Sequence, residues 1–296
     1  MKQIIAFLFS AILLVLCGCG KNNNSSGKTK VVAGLPPIAG LAEIIAGDRA
    51  EVITILPQGR TPHDFAPRTD TIRQTSGASA FFTTKMPFEN KVASFMSGKA
   101  DICDVSSGIE RIAFHDGGDH QHQHHDGCSH DDHDPHIWLS CRNAIIIADN
   151  IRAELTKIDP EGEKIYQQNF EVLKKRLQDL DAKITKQLAP FKKRTFFVYH
   201  PAFGYFAHDY QLNQRAIELN GREATPVQLA NIIKEAKENG ASTIFVQEQF
   251  NPRSAQSIAK EINGTAAALD PLAHDLIANL EKIAASLADG FNRERK

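Results

Sequence analysis

Four short segments of this 296-residue chain place imidazole or carboxylate beside proline. They are Gly59-Arg60-Thr61-Pro62-His63-Asp64-Phe65, Asp134-Pro135-His136-Ile137-Trp138-Leu139, Tyr199-His200-Pro201-Ala202-Phe203-Gly204-Tyr205-Phe206 and Leu269-Asp270-Pro271-Leu272. Three imidazoles and one carboxylate make a four-coordinate set suited to zinc. Neutral imidazole favours zinc, copper, iron or nickel, whereas manganese takes a larger share of oxygen ligands. A histidine such as His63, met alone, is more often an ordinary surface or core residue. What favours metal is the recurrence of His or Asp beside Pro in both halves of the chain.

Short apolar runs alternate with helical stretches, which indicates an α/β architecture. The expected strands are 30–35, 52–56, 80–84 and 102–105, then 195–199, 215–219, 243–247 and 265–269. Helices are expected at 38–46, 69–75, 226–239 and 253–262. Three of the four segments follow directly on expected strands, and open α/β sheets bind ligands outside the carboxyl ends of their strands. Between the two sets, apolar residues at Ile165, Phe170, Leu173, Leu177, Leu180, Ile184 and Leu188 recur at helical spacing. Asp159-Pro160-Glu161 opens this helix and Pro190 closes it. At ~1.5 Å per residue, 161–189 spans roughly 43 Å, the length of a whole domain. The expectation is therefore two α/β lobes, 30–160 and 190–296, joined by a long spine helix at 161–189, with a metal site in the cleft between the lobes.

The N-terminus reads as an address. Lys2 precedes an apolar run, Ile4 to Leu16, that is shorter than the roughly 20 residues a transmembrane helix needs. It suits the apolar region of a secretory signal, 1–18. Leu16-Cys17-Gly18-Cys19 resembles a bacterial lipobox and makes Cys19 the residue to be acylated, anchoring the protein to a membrane outside the cytoplasm. The polar stretch 19–29 reads as a flexible tether. Lys and Arg number 34 against 35 Asp and Glu, so charge offers no reason to expect nucleic acid. With Cys17 and Cys19 set aside, Cys103, Cys128 and Cys141 remain, an odd number without a C-x-x-C pair.

Taken together, the four segments resemble those of the metal-binding family of periplasmic solute-binding proteins, the zinc and manganese receptors of ABC importers. The likeness runs from about Lys30 to the C-terminus. It implies two lobes about a spine helix and a receptor, not an enzyme, that hands its ion to an importer permease and acts as a monomer. Carried over by position, the metal ligands are His63, His136, His200 and Asp270. The third position is His in zinc-type members and Glu in manganese-type members; His200 implies Zn2+. If the ligands are neutral imidazoles, affinity is expected to fall below roughly pH 6.5. One departure is Leu139-Ser140-Cys141, where the family usually has Leu-Asp-Pro; it is expected to weaken the loop beside His136.

The stretch from Phe114 through Asp134 holds His115, His120, His122, His124, His125, His130 and His133 with six aspartates and no Lys or Arg. Such a tract cannot bury a core, reads as a mobile loop, and gives weak secondary metal sites. Zinc-type members often carry a His/Asp-rich insertion there. His208 and His274 read as ordinary residues outside the site. Two rival functions stand beside a zinc receptor: a manganese or iron receptor of the same architecture, and a zinc-dependent hydrolase. The second lacks an H-E-x-x-H helix.

Overall fold

The computed structural model describes residues 28–114, 133–218, 224–250 and 252–293. The signal, Cys19 and the loop histidines His115, His120, His122, His124, His125 and His130 lie outside the described residues. The first lobe contains β1 (Thr29–Ala33), α1 (Pro36–Ala46), β2 (Ala50–Thr54), α2 (Thr69–Gln74), β3 (Ala80–Thr83), α3 (Pro87–Met96) and β4 (Asp101–Asp104). Two long helices follow, α4 (Cys141–Ile158) and the spine α5 (Glu163–Leu188). The second lobe contains β5 (Thr195–Val198), α6 (Gly204–Asp209), β6 (Asn213–Ala216), α7 (Pro226–Glu238), β7 (Thr243–Gln247), α8 (Arg253–Glu261), β8 (Thr265–Leu269) and α9 (Leu276–Arg293). β1 begins at Thr29, inside the stretch read as tether, because its first residue already pairs with Ala50.

Each lobe is one four-stranded parallel sheet, ordered β2-β1-β3-β4 and β6-β5-β7-β8. Both orders reverse direction about their first strand, the point at which parallel sheets open a crevice for ligands. Parallel strands covered on both faces must be apolar throughout. β3 (Ala-Phe-Phe-Thr) and β7 (Thr-Ile-Phe-Val-Gln) are buried at every position. Pro226 and the reciprocal Thr225–Gln228 capping box start α7, supplying partners for backbone groups that a helix start leaves unpaired.

The spine is a helix of 26 residues, about 39 Å long at ~1.5 Å per residue. A 3-10 turn over Pro160–Gly162 precedes it. Its buried stripe is Tyr166, Phe170, Leu173, Leu177, Leu180, Ile184 and Leu188. Ile165, expected in that stripe, is 42% exposed. Tyr166 displaces it because its hydroxyl donates to Asp159, which also accepts from Arg49 Nε at 2.7 Å and Nη2 at 2.8 Å. Gly162 makes room: a Cβ there would lie 2.4 Å from the Tyr166 ring. α5 packs against α1, α4 and α9, and one contiguous apolar core runs from the first lobe through the spine into the second.

Candidate metal centre

His63 lies in the connection between β2 and α2, and His136 in the turn that leads into α4. His200 stands two residues past β5, and Asp270 immediately follows β8. His63 Nε2 lies 3.4 Å from His136 Nε2, and His200 Nε2 lies 3.3 Å from the same atom. Among the described residues these three imidazoles form the group whose ligand atoms all fall within 4.8 Å of one another. The space they face is a cavity of about 10 Å³, walled by Thr61, Pro62, Phe250, Pro271 and Leu272. That volume suits one ion or one water.

Two of the imidazoles are held from behind. His136 Nδ1 lies 2.8 Å from Asp134 Oδ1, which also accepts from the His136 backbone N–H at 2.9 Å. His200 Nδ1 lies 2.5 Å from Glu218 Oε1. The four residues are deeply buried, with Asp134 1%, His136 2%, His200 6% and Glu218 5% exposed. A carboxylate at Nδ1 takes the proton-bearing nitrogen and leaves the Nε2 lone pair for the cleft. Asp134 comes this close because Gly204 has no side chain; a Cβ there would meet Asp134 Oδ2 at 2.2 Å. His63 is exposed as a residue, but its Nε2 is part-buried against His136, and it has no carboxylate partner among the described residues.

Burial disfavours the charged ring, so proton affinity falls. His63 is pushed down to about 3, first by desolvation and then by repulsion from His136 and His200. His200 is also lowered, chiefly by desolvation, against the opposing pull of Glu218.

Asp270 stands apart from the three-imidazole group. Its Oδ1 accepts from Gln249 Nε2 at 2.8 Å and from the Leu272 N–H at 2.9 Å, which fixes the turn carrying Pro271 and Leu272 along the cleft. His208 is exposed beside Asp209, and His274 pairs with Glu43, both outside the group. His133, the one described residue of the His-rich tract, is exposed and bridges to Ala113.

The departure at Ser140-Cys141 does not weaken the loop beside His136. Ser140 caps α4 by accepting from Asn143 N–H at 3.1 Å and donates to Asp209 Oδ2 at 2.6 Å in the opposite lobe. Cys141 is buried, receives the Tyr210 hydroxyl at 3.6 Å, and burial pushes its thiol up to about 12. It is thus a protonated packing residue and not a metal-binding thiolate. Cys103 and Cys141 are both free thiols. Trp138, fully buried, donates from Nε1 to the Pro271 carbonyl at 2.6 Å across the lobes, and its ring lies 5.5 Å from that of His136.

The carboxylates behind the imidazoles are absent from the sequence-level ligand set. Asp134 carries a signal, since it sits two residues before His136 in the same segment. Glu218 carries none until β5 and β6 are paired in register.

Known proteins share this arrangement of lobes. The zinc-binding protein AdcA of Streptococcus pyogenes serotype M3 is 31% identical over 267 residues, covering 84% of this chain and 51% of that protein. The chain thus spans about half the length of the curated relatives it first matches. The metal ABC transporter substrate-binding lipoprotein FimA of Streptococcus parasanguinis is 29% identical, covering 89% of this chain and 87% of that protein. A solved structure of a ZnuA deletion mutant with zinc bound superposes with a TM-score of 0.80 at 30% identity, over 89% of this chain and 98% of that chain. The family model for ZnuA, zinc-uptake complex component A, periplasmic, matches residues 31–290, and to that family this chain belongs.

Proposed function

We propose that this chain is a receptor that captures Zn2+ outside the cytoplasmic membrane and delivers it to the permease of an ABC importer. One observation carries the reading. Metal–nitrogen bonds of about 2.0–2.1 Å at a tetrahedral centre set neighbouring ligand nitrogens about 3.3–3.4 Å apart. The imidazoles stand at 3.3 and 3.4 Å, two of them with their proton-bearing nitrogens turned away. His63, His136 and His200 are the nitrogen ligands and Asp270 is the fourth, swinging a carboxylate oxygen toward an ion that the three have already seated. The zinc-binding names of the relatives support the choice of ion.

Cys19 carries the lipid anchor, in keeping with the lipoprotein description of FimA. A single acyl chain binds membranes only marginally, so stable anchoring takes more than one. The receptor acts as a monomer, and the tract from His115 to His133 collects metal weakly. The family supports a binding role over catalysis.

Competitive zinc titration against a chromophoric chelator tests the reading. The wild-type chain should take up one zinc tightly, with Trp138 fluorescence tracking that uptake. His63→Ala with His200→Ala should remove the tight phase. Tight binding of one zinc by the double variant would sink the assignment.

A further inference from the structure

Glu218 stands two residues past β6 as His200 stands two past β5, and the register pairs Val198 with Ala216. Parallel pairing therefore sets the two side chains next to each other at the carboxyl edge of the second lobe, and the Glu218 N–H extends it by bonding to Tyr199 O at 3.0 Å. The His200 backbone is separately clamped by Gln247, whose Oε1 accepts from His200 N–H at 3.1 Å and whose Nε2 donates to His200 O. The backbone of His200 is thus fixed without Glu218, and the remaining freedom of the ring is what Glu218 removes.

A buried carboxylate is costly without a cation, and among the described residues no Lys or Arg pairs with Glu218. Asp134 stands in the same relation to His136 from the other lobe. Asp134 and Glu218 each reach the cleft through one imidazole.

We propose that Glu218 is a positioning residue for metal capture: through Nδ1 it holds His200 with the Nε2 lone pair aimed into the cleft. This rests on the zinc-receptor reading above. A carboxylate kept only for packing would be replaced by an isosteric amide at no cost to metal binding. Loss of such an outer partner generally weakens metal binding by about 10–100-fold.

The test compares wild type, Glu218→Gln and Glu218→Leu by competitive zinc titration, with Co2+ absorption as a spectroscopic probe and thermal melting of the metal-free protein. Glu218→Gln should bind zinc about 10–100-fold more weakly, with an altered cobalt spectrum and a metal-free melting temperature unchanged or raised. Unchanged zinc affinity and cobalt spectrum would overturn the proposal while leaving the receptor reading intact. Failure of wild type to bind zinc would remove both. A measurement without substitution guards against variants that do not fold: 15N NMR of histidine-labelled wild type should show metal-free His200 protonated at Nδ1. Protonation at Nε2 would overturn the proposal.

Discussion

Acidification separates this site from three ordinary histidines. An imidazole of pKa about 6.5 loses about a factor of ten in metal affinity between pH 7.5 and 5.5, because protons compete for the lone pair. Three independent imidazoles of that kind would lose about a thousandfold. In this protein desolvation and the neighbouring imidazoles lower His63, and desolvation lowers His200, so the loss should fall short of a thousandfold. The assay is competitive titration at a series of pH values, using a chelator whose own protonation is calibrated and following Trp138 fluorescence. A thousandfold loss by pH 5.5 would refute the reasoning, since it requires all three rings to titrate as they do in water.

The same burial has a cost in the metal-free protein. Between about pH 6.5 and 3 the unfolded chain binds a proton at His63 that the native state refuses, so stability should fall as pH drops through that window; metal-free melting curves check this. Glu89 runs the opposite way. Burial pushes its carboxyl up to about 7, with four donors on Oε2 and none on Oε1, so its contribution to stability is full below about pH 4.5 and lost as pH rises to 7. Glu89→Gln should flatten that part of the stability–pH curve, a span of about 3 kcal/mol, in urea unfolding at pH 5 and 8. His200→Glu adds a hard oxygen ligand and should shift the zinc-to-manganese affinity ratio toward manganese; an unchanged ratio would place His200 outside the ligand set. Deleting 116–132 should keep the tight zinc site and eliminate weaker excess binding in calorimetry, because a polar His/Asp tract without apolar residues gives weak, multiple metal sites.

Much of this is legible in the chain because strand ends and ligands coincide. Phe196-Phe197-Val198 announces a buried strand and Ala266-Ala267-Ala268-Leu269 an edge strand buried at Leu269, and close behind them come His200 and Asp270. β6 lies two residues earlier than expected, at Asn213–Ala216, because its pairing with β5 starts at Thr195 and Asn213 rather than at its most apolar residues. α4 is harder to read: Ile145-Ile146-Ile147 is β-branched and strand-like, and the helix is decided by its Ser140 cap and by packing against α5. The spine's phase is set at Tyr166 by a polar contact with Asp159 that hydrophobic spacing cannot register. Glu218 is 18 residues from His200 and becomes its partner only through sheet register. Local patterns carry the ligands, whereas the groups that aim them depend on tertiary pairing.

The most direct test of a three-imidazole zinc site is X-ray absorption on the chain lacking 116–132, loaded with one equivalent of zinc. The account predicts a four-coordinate centre with three imidazole nitrogens and one oxygen at about 2.0–2.2 Å. A sulfur shell near 2.3 Å, or fewer than three imidazoles, would contradict it.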